Sequence, residues 1–74
     1  MNQHAQTLVT ILEARQRELG LTDAAFADRL GVSRQLWAMT RAGQRAVGLL
    51  LLQGVVRAFP DLHNQVLAHL QGDT

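Results

Sequence analysis

Arg34 and Gln35 stand side by side directly after Ser33, and both side chains have the chemistry to read a nucleic acid. Arginine can donate two parallel hydrogen bonds to guanine O6 and N7. Glutamine can pair with adenine N6 and N7, and each such pairing discriminates between bases by about 1–3 kcal/mol. A helix lying in the major groove meets base edges first with its N-terminal residues. Ser33 is a good N-cap for a helix that begins at Arg34. The surrounding charge fits the same chemistry, because five arginines (Arg29, Arg34, Arg41, Arg45 and Arg57) and no acidic residue fall between Arg29 and Pro60. The six acids, Glu13, Glu18, Asp23, Asp28, Asp61 and Asp73, all lie outside that window. Arg41 and Arg45 flank the end of the segment and are expected to reach phosphates, a sequence-independent and salt-sensitive contribution. Arg29 and Arg57 stay open between contact with DNA, plain solvation and internal ion pairs.

Presenting these residues requires a helix with one packed side. At about 100° per residue, Leu36, Trp37 and Thr40 gather on one arc while Arg34, Gln35, Ala38 and Met39 occupy the other. Ala38 and Met39 are suited to apolar contact with thymine methyl groups. Trp37 falls on the inward arc, so a core position beside Phe26 and Phe59 is expected rather than a base-stacking platform. The segment runs from about Arg34 to Arg41 and ends at Ala42-Gly43, before the polar loop Gln44-Arg45-Ala46. Ahead of it, Thr22 is an N-cap for a helix from about Asp23 to Leu30 with Phe26, Ala27 and Leu30 as its inner stripe. Asp23 is placed either to favour the positive end of that helix or to repel a nearby phosphate. Gly31-Val32-Ser33 is the tight connection, with Gly31 able to take positive φ.

A first helix is expected from about His4 to Leu19, with Leu8, Ile11, Leu12 and Leu19 inward and Gly20 as its stop. A fourth runs from about Val47 to Phe59 and stops at Pro60, with Leu49 to Leu52 assigned to it because Gln53, Gly54 and Arg57 interrupt the apolar run at helical intervals. Asp61 is the expected cap of a fifth helix carrying Leu62, Val66, Leu67 and Leu70, and the C-terminal Gly72-Asp73-Thr74 is expected to fray. The fold class is therefore all-α, a compact bundle of about five short helices. Residues 1–74 form a single domain, with a helix-turn-helix over about 22–42 and C-terminal helices over about 47–71.

Seventy-four residues leave room for one core. With no cysteine, disulfides, thiolate metal sites and cysteine nucleophiles are excluded together. His4, His63 and His69 have no recognised ligand spacing, and no phosphate-cradling glycine loop or nucleophile-base-acid set stands out, so no enzyme activity, metal or cofactor is expected. No apolar run reaches the ~18 residues of a membrane span and no export signal opens the chain. The expected setting is the cytoplasm, with no small-molecule ligand.

Residues 21–62 resemble the lambda-repressor and Cro family of helix-turn-helix proteins, of the xenobiotic-response-element type. The resemblance rests on the run from Leu21 to Gln35: Ala27 five residues past Thr22, Gly31 at the turn and Val32-Ser33 opening the next helix, with Gly43 closing that helix. It implies a DNA-binding transcriptional regulator, a repressor of phage or bacterial type, with Arg34, Gln35, Ala38 and Met39 on bases. Thr22, Ser33, Arg41, Gln44 and Arg45 fall at phosphate-contacting positions. The apolar C-terminal helices point to a homodimer, with Leu50, Leu51, Leu62, Val66 and Leu70 at its interface. Two recognition helices about ten base pairs apart then call for a palindromic operator in double-stranded DNA. The alternative is a protein-interaction module, antitoxin-like or antirepressor-like, that keeps the scaffold without reading DNA. A net charge of only +1, Ala42 where the family often has a polar residue, and the apolar fourth helix fit that alternative.

Overall fold

Two short helices are delimited by their own side chains. The Thr22 hydroxyl accepts the backbone N–H of Ala25 at 3.1 Å and starts α2 (Asp23–Leu30). The Ser33 hydroxyl accepts that of Leu36 at 3.0 Å and starts α3 (Arg34–Arg41). Each bond satisfies one of the N–H groups that a first helical turn leaves without a partner. Between the two helices Gly31 takes φ +74°, a left-handed conformation that costs a residue with a Cβ about 1–2 kcal/mol. Its N–H and that of Val32 return to the carbonyls of Asp28 and Ala27 at 3.1 and 3.0 Å, which closes α2. The bounds of both helices match the sequence expectation.

The computed structural model describes residues 3–72, and side chains from 8 to 71. The fraying expected of Asp73 and Thr74, and the side chain of His4, lie outside the described residues. The order is α1 (Gln3–Leu19), α2, α3, α4 (Leu49–Ala58), a 3-10 turn (Pro60–Leu62) and α5 (His63–Gly72), with no strand among the described residues. Among the described residues no helix is long and apolar enough to cross a membrane.

A single core joins all five helices. Leu8 and Leu12 of α1 meet Phe26, Ala27 and Leu30 of α2, Trp37 of α3, Leu51, Leu52 and Val55 of α4, and then Phe59, Leu62 and Val66. Phe26 is central, with ring centroids 5.1 Å from Trp37 and 5.7 Å from Phe59. These are separations at which aromatic pairs add about 0.5–1.5 kcal/mol beyond their area. Leu19 is not part of this face as expected. It is 41% exposed, and the i, i+4 series continues instead from Leu8 and Leu12 to Gln16, which is buried.

Two boundaries depart from the sequence reading. α4 starts at Leu49 rather than Val47, because Val47 is packed against the core and Gly48 is extended. Asp61 does not cap the fifth helix. It sits within the 3-10 turn, and both of its carboxylate oxygens accept hydrogen bonds from Arg15 of α1. Phe59 before Pro60 has φ −131° and ψ 77°, outside the helical region, as a residue preceding proline prefers.

Gly54 lets α4 lie directly on the C-terminal end of α2. A Cβ placed there would overlap the Leu30 carbonyl oxygen and stand 2.9 Å from the carbonyl carbon. Backbone cannot yield as a side-chain tip can, so the helices would have to part. Gly54→Ala is expected to destabilise the fold by about 1–3 kcal/mol or more, despite alanine's better helix propensity. Urea denaturation followed by circular dichroism checks this, and an unchanged or raised midpoint would contradict the close packing.

Candidate nucleic-acid interface

α3 has eight residues, too few to hold a helix in water without tertiary support. Its support comes from one arc. Trp37 is fully buried and Thr40 is buried, with its hydroxyl donating to the Leu36 carbonyl at 2.7 Å. The opposite arc faces outward: Arg34 and Gln35 are exposed and Ala38 and Met39 half-buried. Thr22, Ser33, Gln44 and Arg45 are also exposed, with the Thr22 and Ser33 hydroxyls already engaged as helix caps.

Arg41 departs from the role expected of it. Its Nε donates to Glu13 at 3.1 Å and its NH1 to Asp23 at 2.6 Å, while the guanidinium carbon stands 6.0 Å from the centre of the Trp37 ring. The head group is therefore committed to two carboxylates of α1 and α2, and a phosphate would have to compete with both. Asp23 stands in the first turn of α2, where its charge favours the positive end of the helix, and it is not a bare repulsive charge. It accepts from Gln16 Nε2 at 2.9 Å and from Arg41. The Gln16 hydrogen bond first, and Arg41 after it, hold the Asp23 carboxyl below its ordinary value of 3.8. Arg57, left open by the sequence, is exposed and lays its guanidinium against the turn at Gly31. Arg29, also exposed, has its guanidinium 5.9 Å from the Phe59 ring centre.

Sequence reasoning missed Gln16. The side chain is 7% exposed; its Oε1 accepts the Trp37 indole N–H at 2.9 Å and its Nε2 also donates to the Leu21 carbonyl at 3.1 Å. A glutamine on the i, i+4 stripe of Leu8 and Leu12 was the available signal, since a polar residue on a core stripe needs buried partners.

The expected dimer surface divides in two. Leu51 and Leu62 are buried in the chain's own core at 1% and 5% exposure, so they are not free to meet a second copy, while Val66, 4% exposed, belongs to the core and lies at the floor of the groove between α4 and α5. Leu50 and Leu70 are exposed, joined by Leu49 and Leu67. Gln53 and Arg57 mark this outer side of α4, lying four and eight residues beyond Leu49. Leu49, Gln53, Val56 and Arg57 of α4 and His63, Leu67 and Leu70 of α5 line an apolar groove of about 400 Å³. Among the described residues no three His, Cys, Asp or Glu side chains gather as metal ligands.

A curated protein of Methanothermobacter thermautotrophicus, named as an uncharacterized HTH-type transcriptional regulator, is 31% identical to this chain over 64 residues. The alignment covers 86% of this chain and 93% of that protein. No family model and no solved structure matches the chain.

The lowered carboxyl of Asp23 has a signed consequence for stability. A group whose folded-state pKa is depressed contributes stability that is present above its unfolded value and lost as pH falls through the folded one. Asp61, held low by Arg15, acts in the same direction. Asp23→Asn keeps an acceptor for Gln16 but removes the charge. It is expected to lower the urea midpoint at pH 7 by the equivalent of about 1 kcal/mol or less, as for ion pairs open to solvent. Below about pH 4 the difference from the parent chain should shrink. A gap that persists unchanged at pH 3 would assign the effect to something other than the carboxylate.

Proposed function

The chain belongs to the helix-turn-helix transcriptional regulators, and from that membership we propose that it is a sequence-specific DNA-binding regulator of lambda-repressor and Cro type, a repressor that reads the major groove with α3. The observation that carries this reading is the exposure of Arg34 and Gln35 on the first turn of a helix whose other side is fixed in the core by Trp37. Arg34 pairs with guanine and Gln35 with adenine, while Ala38 and Met39 line the groove against thymine methyls. Thr22, Ser33, Gln44 and Arg45 set the register on the phosphates. Arg41 serves chiefly to hold α3 in place. Repression follows from occupancy, since a bound domain excludes other proteins from the same duplex, and the setting is the cytoplasm.

The exposed leucines support assembly as a homodimer through Leu49, Leu50, Leu67 and Leu70. Leu49, Leu67 and Leu70 line one groove and Leu50 follows Leu49 on the same helix, and large apolar side chains in water are an unfavourable surface that a second copy would cover. A two-fold pair places the two α3 helices on half-sites about ten base pairs apart, and a palindromic operator follows.

Selection of bound sequences from a random duplex pool supplies the cognate site. Arg34→Ala is then expected to abolish preference for that site, a loss of about 1–3 kcal/mol in discrimination. Arg45→Ala is expected to weaken binding to every duplex and to reduce the salt slope by about one. Equal losses on cognate and random DNA for both variants would overturn these roles. No gel shift at about micromolar protein in low salt would overturn DNA binding itself. Leu50→Glu is expected to shift the sedimentation coefficient to that of a monomer with helicity retained; a monomeric parent chain would remove the dimer.

A further inference from the structure

Gln16 is the buried polar point at which α1 holds the helix-turn-helix, beside the more exposed ion pair of Glu13 with Arg41. Its amide has two ends of opposite character, and every neighbour accepts only one of them. The oxygen meets the Trp37 indole N–H at 2.9 Å, while the nitrogen donates to the Asp23 carboxylate at 2.9 Å and the Leu21 carbonyl at 3.1 Å. Rotating the amide by half a turn would set donor against donor and oxygen against oxygen at once. The side chain is buried, so water cannot repair the mismatch. Its orientation is unique, and so is the placement of what it binds.

Those partners lie on separate elements. Trp37 is in the middle of α3 and Asp23 opens α2, and Asp23 in turn takes Arg41 at the last residue of α3, with NH1 and Oδ1 2.6 Å apart. α3 is therefore tied at two points one helical turn apart: at Trp37 by Gln16 directly, and at Arg41 by Glu13 of α1 and by Asp23, whose carboxylate Gln16 also holds. Apolar contact between Trp37 and Phe26 would by itself allow α3 to roll or slide by fractions of an ångström, because dispersion has little direction. Two directional anchors do not. We propose that Gln16 is a specificity-determining positioning residue, which never touches DNA but fixes the pose from which Arg34 and Gln35 reach the bases. This rests on the DNA-reading assignment above. Base-edge bonds require placement within about 0.5 Å, whereas flexible arginines on phosphates tolerate more. A loosened α3 should thus lose discrimination before it loses general affinity.

Gln16→Met keeps the length of the side chain and removes its hydrogen bonds. Val55→Ala, in the core of α4, serves as a control that lowers stability without touching the anchor. Each protein is titrated by fluorescence anisotropy against the selected duplex and a scrambled duplex at one salt concentration, at a temperature where circular dichroism shows it fully folded. For Gln16→Met the expected result is affinity for the scrambled duplex within about twofold of the parent and a loss of about tenfold in cognate preference. The near-UV signal of the single tryptophan should change alongside. Val55→Ala is expected to keep the preference despite a lower melting temperature. If Gln16→Met does not fold, Trp37→Phe, which removes the indole donor while leaving an aromatic plug, carries the same comparison of cognate against scrambled duplex, with the same expected loss of preference. Preference retained without the anchor, or lost equally in Val55→Ala, overturns the proposal while leaving DNA reading intact. A parent chain with no preference removes DNA reading, and the proposal with it.

Discussion

A tryptophan cannot be buried without an acceptor for its indole N–H, and that requirement organises this molecule. α3 is too short to persist in water by itself, so its existence depends on the side chain it plants in the core. Trp37 supplies the largest fully buried side chain of the protein, and its nitrogen meets the Gln16 oxygen at 2.9 Å. Without that oxygen, burial would leave an unpaired donor, at a cost of about 1–3 kcal/mol in a domain of limited core. Gln16 therefore has to be inside, and its own nitrogen has to be satisfied, which brings in Leu21 and Asp23. Asp23 then brings in Arg41. One apolar anchor thus obliges a polar network across three helices.

What was legible in the sequence was what is decided locally. Thr22 and Ser33 cap helices whose N–H groups lie only three residues away, and Gly31 and Val32 close α2 through bonds to residues three and five positions back, respectively. The bounds of α2 and α3 could therefore be read without knowing the rest of the fold. The exposed arc of α3 was legible for a related reason, since its inner arc is named by one tryptophan and a threonine at helical spacing.

What was not legible depends on partners distant in the chain. Asp61 resembles a cap to anyone reading along the sequence, but Arg15, 46 residues away, takes its carboxylate. Arg41 resembles a free cation until α1 and α2 fold beside it and present Glu13 and Asp23. The run Leu49 to Leu52 announces an apolar helix without saying which residues point inward, because neighbouring leucines carry no contrast. Only packing separated Leu51 and Leu52, which are buried, from Leu49 and Leu50, which are exposed.

The contact at Gly54 bears on how motion would pass through the protein. Where α4 rests on the Leu30 carbonyl there is no intervening side chain to act as a cushion, and Leu30 is the last residue before the turn that leads into α3. Rotamer changes cannot absorb a displacement at such a seam. A push on the outer leucines of α4 is handed stiffly, main chain to main chain, toward the turn. The outer side of α4 thus stands one main-chain contact away from the turn that carries α3.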